Sequence, residues 1–208
     1  VLGTLVLIGI CTAAMLAVIF MKYVETTVIP NVEVRAEDYT MQLSSIIYYQ
    51  DKETGEWVEY QTIHGEQNRI LVDFDQMPDA LWQAAVAVED KRFFEHEGVD
   101  WRRTGGAVLN MFIGMKNTFG GSTITQQLAK QLYSETASST VQRFFQKPIE
   151  WVIAVKLERY YTKQEIIALY LNYFDFLHNA VGIKTAANTY FNKEPKDLTV
   201  CEAATLIG

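Results

Sequence analysis

A mainly α-helical body, preceded by a small β unit and an N-terminal transmembrane helix, is the architecture this sequence predicts. Three observations carry that reading. Residues 1–21 contain no charged side chain. Residues 24–75 are rich in β-forming residues broken by turn signals. From residue 76 onward, apolar residues recur at helical spacing and helix-capping pairs recur with them.

The uncharged run matches the ~20 apolar residues that a helix needs to cross a bilayer. Lys22 and Tyr23 behind it suit the membrane interface. A signal-peptide core is shorter, roughly 7–15 residues, and leads to a small-residue cleavage site. The segment from Lys22 to Pro30 has no such site. Residues 1–23 therefore read as a membrane anchor rather than a buried core helix. Orientation does not follow, because the positive-inside rule compares both flanks. Val1 is not a natural start, so a longer chain is expected.

SSIIYYQ (Ser44–Gln50), DKETGE (Asp51–Glu56) and WVEYQTI (Trp57–Ile63) predict strand, turn and strand, and NRILVDF (Asn68–Phe74) a third strand. Residues 24–75 thus form a pedestal without recognisable chemistry. Pro78 suits the first turn of a helix containing LWQAAVAVEDKRFF. Asp100 can cap the next helix, and Ser122 or Thr123 the one after. Thr162 with Glu165, and Thr199 with Glu202, fit capping boxes. In the helix expected from Pro148 to Thr162, the residues Ile149, Val152, Ile153 and Leu157 share one stripe.

The chain's 208 residues allow one domain plus a small accessory region. Its 18 basic and 25 acidic residues give a net charge of -7 with no basic stripe, which argues against nucleic acid as a partner. Cys11 and Cys201 have no metal spacing and no plausible pairing, and both read as small hydrophobes.

Chemistry concentrates in two strings, EDKRFFEHEGVDW (Glu89–Trp101) and GGSTITQQLAK (Gly120–Lys130). Glu89 ends an apolar helix run, and Asp90 stands beside it. Partial burial and a neighbouring like charge both favour a neutral carboxyl, which suits a general base. His96 reads as a group that holds a neighbouring carboxylate or backbone. Gly120 and Gly121 allow close backbone approach before a helix N-terminus that offers N–H groups to an anion. Ser122, Thr123, Thr125, Gln126 and Gln127 add neutral hydrogen-bonding groups, and Lys130 adds charge. No Lys follows the glycines directly, so this is not a nucleotide-binding P-loop. Lys147 and Glu150 share a helix face. Met111–Met115 reads as core, or as a segment that dips into lipid beside the anchor. Taken singly, each feature also has a plain reading: a solvated helix end, a helix cap, a surface ion pair.

The order of the motifs is more specific. EDKRFFEHEGVDW, GGSTITQQLAK, QKPIE (Gln146–Glu150), TKQEIIALYLN (Thr162–Asn172) and AANTYFNK (Ala186–Lys193) follow one another as in the family 51 peptidoglycan glycosyltransferases, which this chain resembles over roughly residues 68–208. FFQKPIEWVIAVKLERYYTK resembles the class A penicillin-binding proteins, which add a C-terminal transpeptidase domain. The resemblance implies a lysozyme-like α domain over residues 76–208 with a lipid-facing jaw subdomain, continuing past Gly208. It implies Glu89 as general base and Glu150 as a second carboxylate on the pyrophosphate and metal side, with Mg²⁺ or another divalent cation nearby. Lys130 and Lys147 match cations near the donor pyrophosphate. Ser122, Thr123, Gln126 and Gln127 match the substrate loop, and Asp90, His96, Gly120 and Gly121 support it.

The implied reaction polymerises lipid II into β-1,4 glycan strands with inversion, on the outer face of a bacterial cell membrane. Lipid II, the growing lipid-linked strand and the bilayer are the implied partners, with other cell-wall synthesis proteins beside them. The chain departs from the family pattern at three places: Gln146 stands where Arg is usual, Ala168 where Glu is usual, and Gln131 where Asn is usual. The segment between Lys130 and Glu150 is a few residues longer than usual. A lysozyme-like glycan hydrolase and an inactive membrane scaffold are the alternatives.

Overall fold

The computed structural model describes residues 2–31, 45–52, 54–63, 70–113, 120–133 and 140–208. Helix α1 spans Leu2–Tyr23 and runs on through a π-helical turn, Val24–Val28, into the short α2, Ile29–Asn31. Its apolar side chains, among them Leu7, Ile8, Ile10 and Ile19, are exposed. Lys156 donates to the Ile29 carbonyl at 2.8 Å, which ties this extension to the helical body. Among the described residues no helix is long and apolar enough to cross a membrane. For α1 the side chains at 2, 5, 13, 16 and 17 lie outside the described set.

Strands β1 (Ser45–Gln50) and β2 (Trp57–Ile63) pair antiparallel, with a register shift between Ile47 and Tyr48. The turn closes through Asp51, whose carbonyl accepts from Gly55 N at 2.9 Å. Gly55 has φ +73, the left-handed conformation that glycine adopts at least cost. The third strand expected at Asn68–Phe74 does not form over its described residues, from 70 onward. There the Asn172 side chain stands in for a partner strand. It accepts from Val72 N at 3.0 Å and donates to Val72 O at 2.8 Å. A capping box between Asp73 and Gln76 then turns the chain into a 3-10 turn, Phe74–Gln76.

The body holds α3 (Asp79–Glu89), α4 (Trp101–Ile113), α5 (Ile124–Tyr133), α6 (Thr140–Tyr160), α7 (Lys163–Tyr173), α8 (Ile183–Phe191) and α9 (Val200–Ile207). Pro78 is the cap residue of α3 rather than part of its first turn. The expected continuation past Glu89 breaks at Asp90, and Phe93–Glu95 forms a separate 3-10 turn. α6 begins at Thr140 rather than Pro148 and carries that proline inside, where it removes one ladder hydrogen bond. Both predicted capping boxes, Thr162–Glu165 and Thr199–Glu202, are formed. Met111–Ile113 continue α4 with side chains outside the described set, and residues 114–119 lie outside the described residues.

The core gathers Leu81, Phe93, Ile124, Leu128, Ile153, Leu157, Ile166, Ile167 and Leu171, all fully buried. α5 lies at its centre, packed against α6 and α7. Of the predicted α6 stripe, Ile153 and Leu157 are buried, Ile149 packs half-buried at the core's edge, and Val152 lines a cavity beside the N-terminal helix. Gly98 has φ +90, and a Cβ there would lie 2.7 Å from the Ala154 carbonyl on α6. The loop that follows Glu89 therefore rests directly on the α6 backbone. Cys11 and Cys201 are both free and exposed.

Candidate active site

Glu89 is the last residue of α3 and is half-buried. Its Oε2 accepts from Gln127 Nε2 at 2.7 Å, and Gln127 Oε1 accepts from the Tyr170 hydroxyl at 3.4 Å. Three helices thus meet in one chain of side chains: α3, α5 and α7. Burial, with the Glu89 charge second, raises the Tyr170 hydroxyl well above the ordinary tyrosine value. Tyr170 therefore serves as a donor and not as a titrating group.

Asp90 turns inward and is fully buried. Its Oδ2 meets His96 Nε2 at 2.9 Å and accepts from Ile124 N, the first residue of α5, at 3.1 Å. His96 thus holds a carboxylate, as its sequence position suggested. Asp90 itself caps α5 from across the fold, satisfying one of the helix's orphan N–H groups. The two adjacent acids have separate tasks: Glu89 faces Gln127, and Asp90 fastens the loop before α5.

That loop carries the second cluster. Lys147 on α6 donates to Glu150 Oε2 at 2.6 Å and to Ser122 Oγ at 3.3 Å. Glu150 is 3% exposed. Residues 122–127 therefore touch both carboxylate centres, Glu150 through Ser122 and Lys147, and Glu89 through Gln127. Lys130 follows Gln127 by three positions, shares its helix face and is exposed.

Other residues of the string have interior partners. Thr123 and Gln126, expected at the substrate, are buried in the cap of α5. Thr123 Oγ1 accepts from Gln126 N at 3.1 Å and donates to Gly98 O at 2.6 Å, and Gln126 Oε1 accepts from Thr123 N at 3.4 Å. A Cβ on Gly121 would meet that of Ala107 at 2.9 Å, so this glycine admits α4. Gly120 has open space around it.

A family model described as Transglycosylase matches residues 55–208. The chain belongs to the transglycosylase family. The match runs from just before β2 to the last residue and takes in every side chain of both clusters. Among relatives of this transglycosylase, penicillin-binding protein 1F of Bacillus subtilis is 45% identical over 140 residues, which are 67% of this chain and 19% of that protein. Penicillin-binding protein 1A of Neisseria flavescens is 40% identical over 147 residues, 70% of this chain and 18% of that protein. Penicillin-binding protein 1A of Streptococcus oralis is 39% identical over 144 residues, 69% of this chain and 22% of that protein. The transglycosylase chain thus spans about a fifth of the length of the curated relatives it matches.

Four residues of the family domain, Tyr170, Gly98, Glu158 and Lys163, escaped the sequence reading. In the fold, Lys163 Nζ donates to Glu158 Oε1 at 2.8 Å and to His96 O at 2.6 Å, and stands 4.3 Å above the Phe93 ring. Thr125 Oγ1 donates to the same Glu158 oxygen at 2.6 Å. This buried-side network joins the α6–α7 turn to the His96 loop and to α5. The available signal was the spacing of Glu158 and Lys163 about the Thr162 cap.

Proposed function

We propose that this transglycosylase domain is a peptidoglycan glycosyltransferase that polymerises lipid II by inverting displacement of a lipid pyrophosphate. The observation that carries the reading is the pairing of two unlike centres on one stretch of chain. A carboxylate held by a neutral amide stands at one end, and a lysine–carboxylate pair stands at the other.

In this reading Glu89 is the general base. Gln127 holds its Oε2, which leaves Oε1 to meet the 4-hydroxyl of the acceptor sugar. As Glu89 takes that proton, the acceptor oxygen attacks the donor anomeric carbon. The bond from that carbon to the pyrophosphate oxygen breaks, and the α-linked donor becomes β-1,4-linked. The leaving group departs as a lipid pyrophosphate. Its developing charge needs fixed cations, and Lys147 and Lys130 supply them. Ser122 places a hydroxyl beside Lys147. Gln146, where the family usually has Arg, makes Lys147 the more important of that pair of positions. Thr123, Gln126, Asp90, His96 and Gly121 act by holding the loop.

A divalent cation such as Mg²⁺ beside Glu150 belongs to the same proposal. Such an ion binds through one or two carboxylates plus substrate phosphates, and would neutralise charge on the pyrophosphate. Glu150 brings one carboxylate, already on Lys147. Among the described residues no group of three His, Cys, Asp or Glu side chains could hold the ion alone.

Residues 1–23 are proposed as the anchor, 24–75 as the pedestal and 76–208 as the catalytic domain with its jaw, on the outer face of a bacterial membrane. The support is the α1 helix of 22 residues. Its exposed apolar side chains and the absence of charge over residues 1–21 suit contact with lipid. Both proposed substrates are lipid-linked, which makes an anchor useful.

Lipid II with a labelled sugar tests the reading. Polymer growth with release of lipid pyrophosphate supports it. Shortening of preformed strands would point to the hydrolase, and binding without turnover to a scaffold.

A further inference from the structure

We infer that Arg103, outside both motif strings, is a positioning residue for Glu89 that acts through the main chain and through Asp90. The inference rests on the reading of Glu89 as base. Arg103 Nη1 donates to the Glu89 carbonyl at 2.5 Å. That carbonyl lies at the C-terminal end of α3, where the last carbonyls lack helical partners and a cation is favoured. The same Nη1 lies 3.9 Å from Asp90 Oδ1. Among the described residues that oxygen is buried without a hydrogen-bond partner. A buried charge of this kind requires compensation, and Arg103 is the cation placed to give it.

Arg103 is itself held in place. Its backbone N–H is accepted by Asp100 Oδ1 at 3.0 Å, which caps α4, and Asp100 also takes Arg92 Nη2 at 2.7 Å. Burial pushes the Asp100 carboxyl up, but the Arg103 N–H and the Arg92 guanidinium outweigh it and keep the group below the ordinary carboxylate value. The guanidinium is thus a strut from the first turn of α4 to the last residue of α3. A cavity of about 480 Å³ lies alongside, lined by Ala87, Val88, Lys91, Arg92 and Asp100. Shortening the side chain opens that space to water and does not empty a packed core.

Among the described residues, the charged and titratable groups around the pair are Lys91, Arg92 and His96 on the turn after α3, Asp100 at the cap of α4, Arg103 on α4, and Tyr170 on α7. α5 brings the uncharged Gln127 and the Ile124 N–H, with Lys130 beyond them. Of these groups, Arg103 bonds the Glu89 main chain and faces Asp90 at once.

The test is lipid II polymerisation by the full chain, with kcat and KM measured separately. Arg103→Met is expected to lower kcat about tenfold with KM within about twofold. Arg103→Lys, which keeps a cation on that side of Asp90, should recover part of the lost kcat. An unchanged kcat in Arg103→Met, or a loss confined to KM, overturns the inference. If Arg103→Met does not fold, Arg103→Gln takes its place: a kcat below that of Arg103→Lys supports the inference, and equal kcat values overturn it. Glu89→Gln is run beside them. Wild-type turnover in that variant removes the base reading and this inference with it. An inactive Glu89→Gln with an unchanged kcat in Arg103→Met removes this inference alone.

Discussion

The Gln127 side-chain amide donates to the Glu89 carboxylate, Nε2 to Oε2 at 2.7 Å. A glutamine expected to meet substrate is therefore engaged with the proposed base. It orients one oxygen without neutralising the charge, as a lysine in its place would. Replacing Gln127 by Ala should lower kcat by about 10–100-fold, part of the ~10²–10⁴ that a positioned base contributes. Steady-state polymerisation assays check this. Lipid II affinity should change little, and a loss confined to affinity would return Gln127 to the substrate loop.

Lys147 and Glu150 are paired but unequally exposed, at 43% and 4% for their side chains. Removing one should not cost the same as removing the other. Lys147→Met leaves a buried carboxylate without its cation and should destabilise the fold by about 1–3 kcal/mol. Glu150→Gln leaves an ammonium that water can solvate, and should cost less than about 1 kcal/mol. Thermal or denaturant unfolding compares the two, and equal losses would contradict this asymmetry.

Gly98→Ala should destabilise strongly although it adds only one methyl group. The new Cβ would press on the Ala154 carbonyl at 2.7 Å, with φ at +90. Overpacking and left-handed strain together should cost at least about 2 kcal/mol. Equilibrium unfolding measures it, and because the loop carries His96, activity should fall with stability.

Helix α9 supplies a pH dependence. The hydrogen bond from Lys193, then those from the Thr199 backbone and hydroxyl, lower the Glu202 carboxyl from 4.5 to about 2. A depressed carboxylate contributes stability above its unfolded value, and loses it as pH falls toward its folded value. The contribution of Glu202 should therefore be whole at neutral pH and fade from about pH 4.5 down to about 2. Unfolding of wild type and Glu202→Gln across that range should converge at the acid end. A constant gap would contradict the assignment.

The features legible in the sequence were mostly local ones. The β1–β2 hairpin, the caps at Thr162 and Thr199, and the Lys147–Glu150 pair each depend on residues a few positions apart. What stayed hidden depends on distant partners. The strand expected around Val72 is replaced by hydrogen bonds from Asn172, 100 residues away. Thr123 and Gln126 looked like ligand groups because a capping box and a polar loop share a composition. Whether Gln126 or Gln127 faces Glu89 is set by the rotation of α5, which Asp90 fixes through Ile124 N. Tyr170 and Gly98 matter through contacts with α5 and α6 that no spacing rule encodes.

In the proposed reaction Glu89 removes the acceptor proton. Glu89→Gln keeps shape and the ability to bond Gln127 but cannot act as a base. Polymerisation and binding of labelled lipid II by the two forms test it most directly. Polymer formation should be abolished in the variant while lipid II binding persists. Polymer formation by Glu89→Gln at the wild-type rate would contradict it.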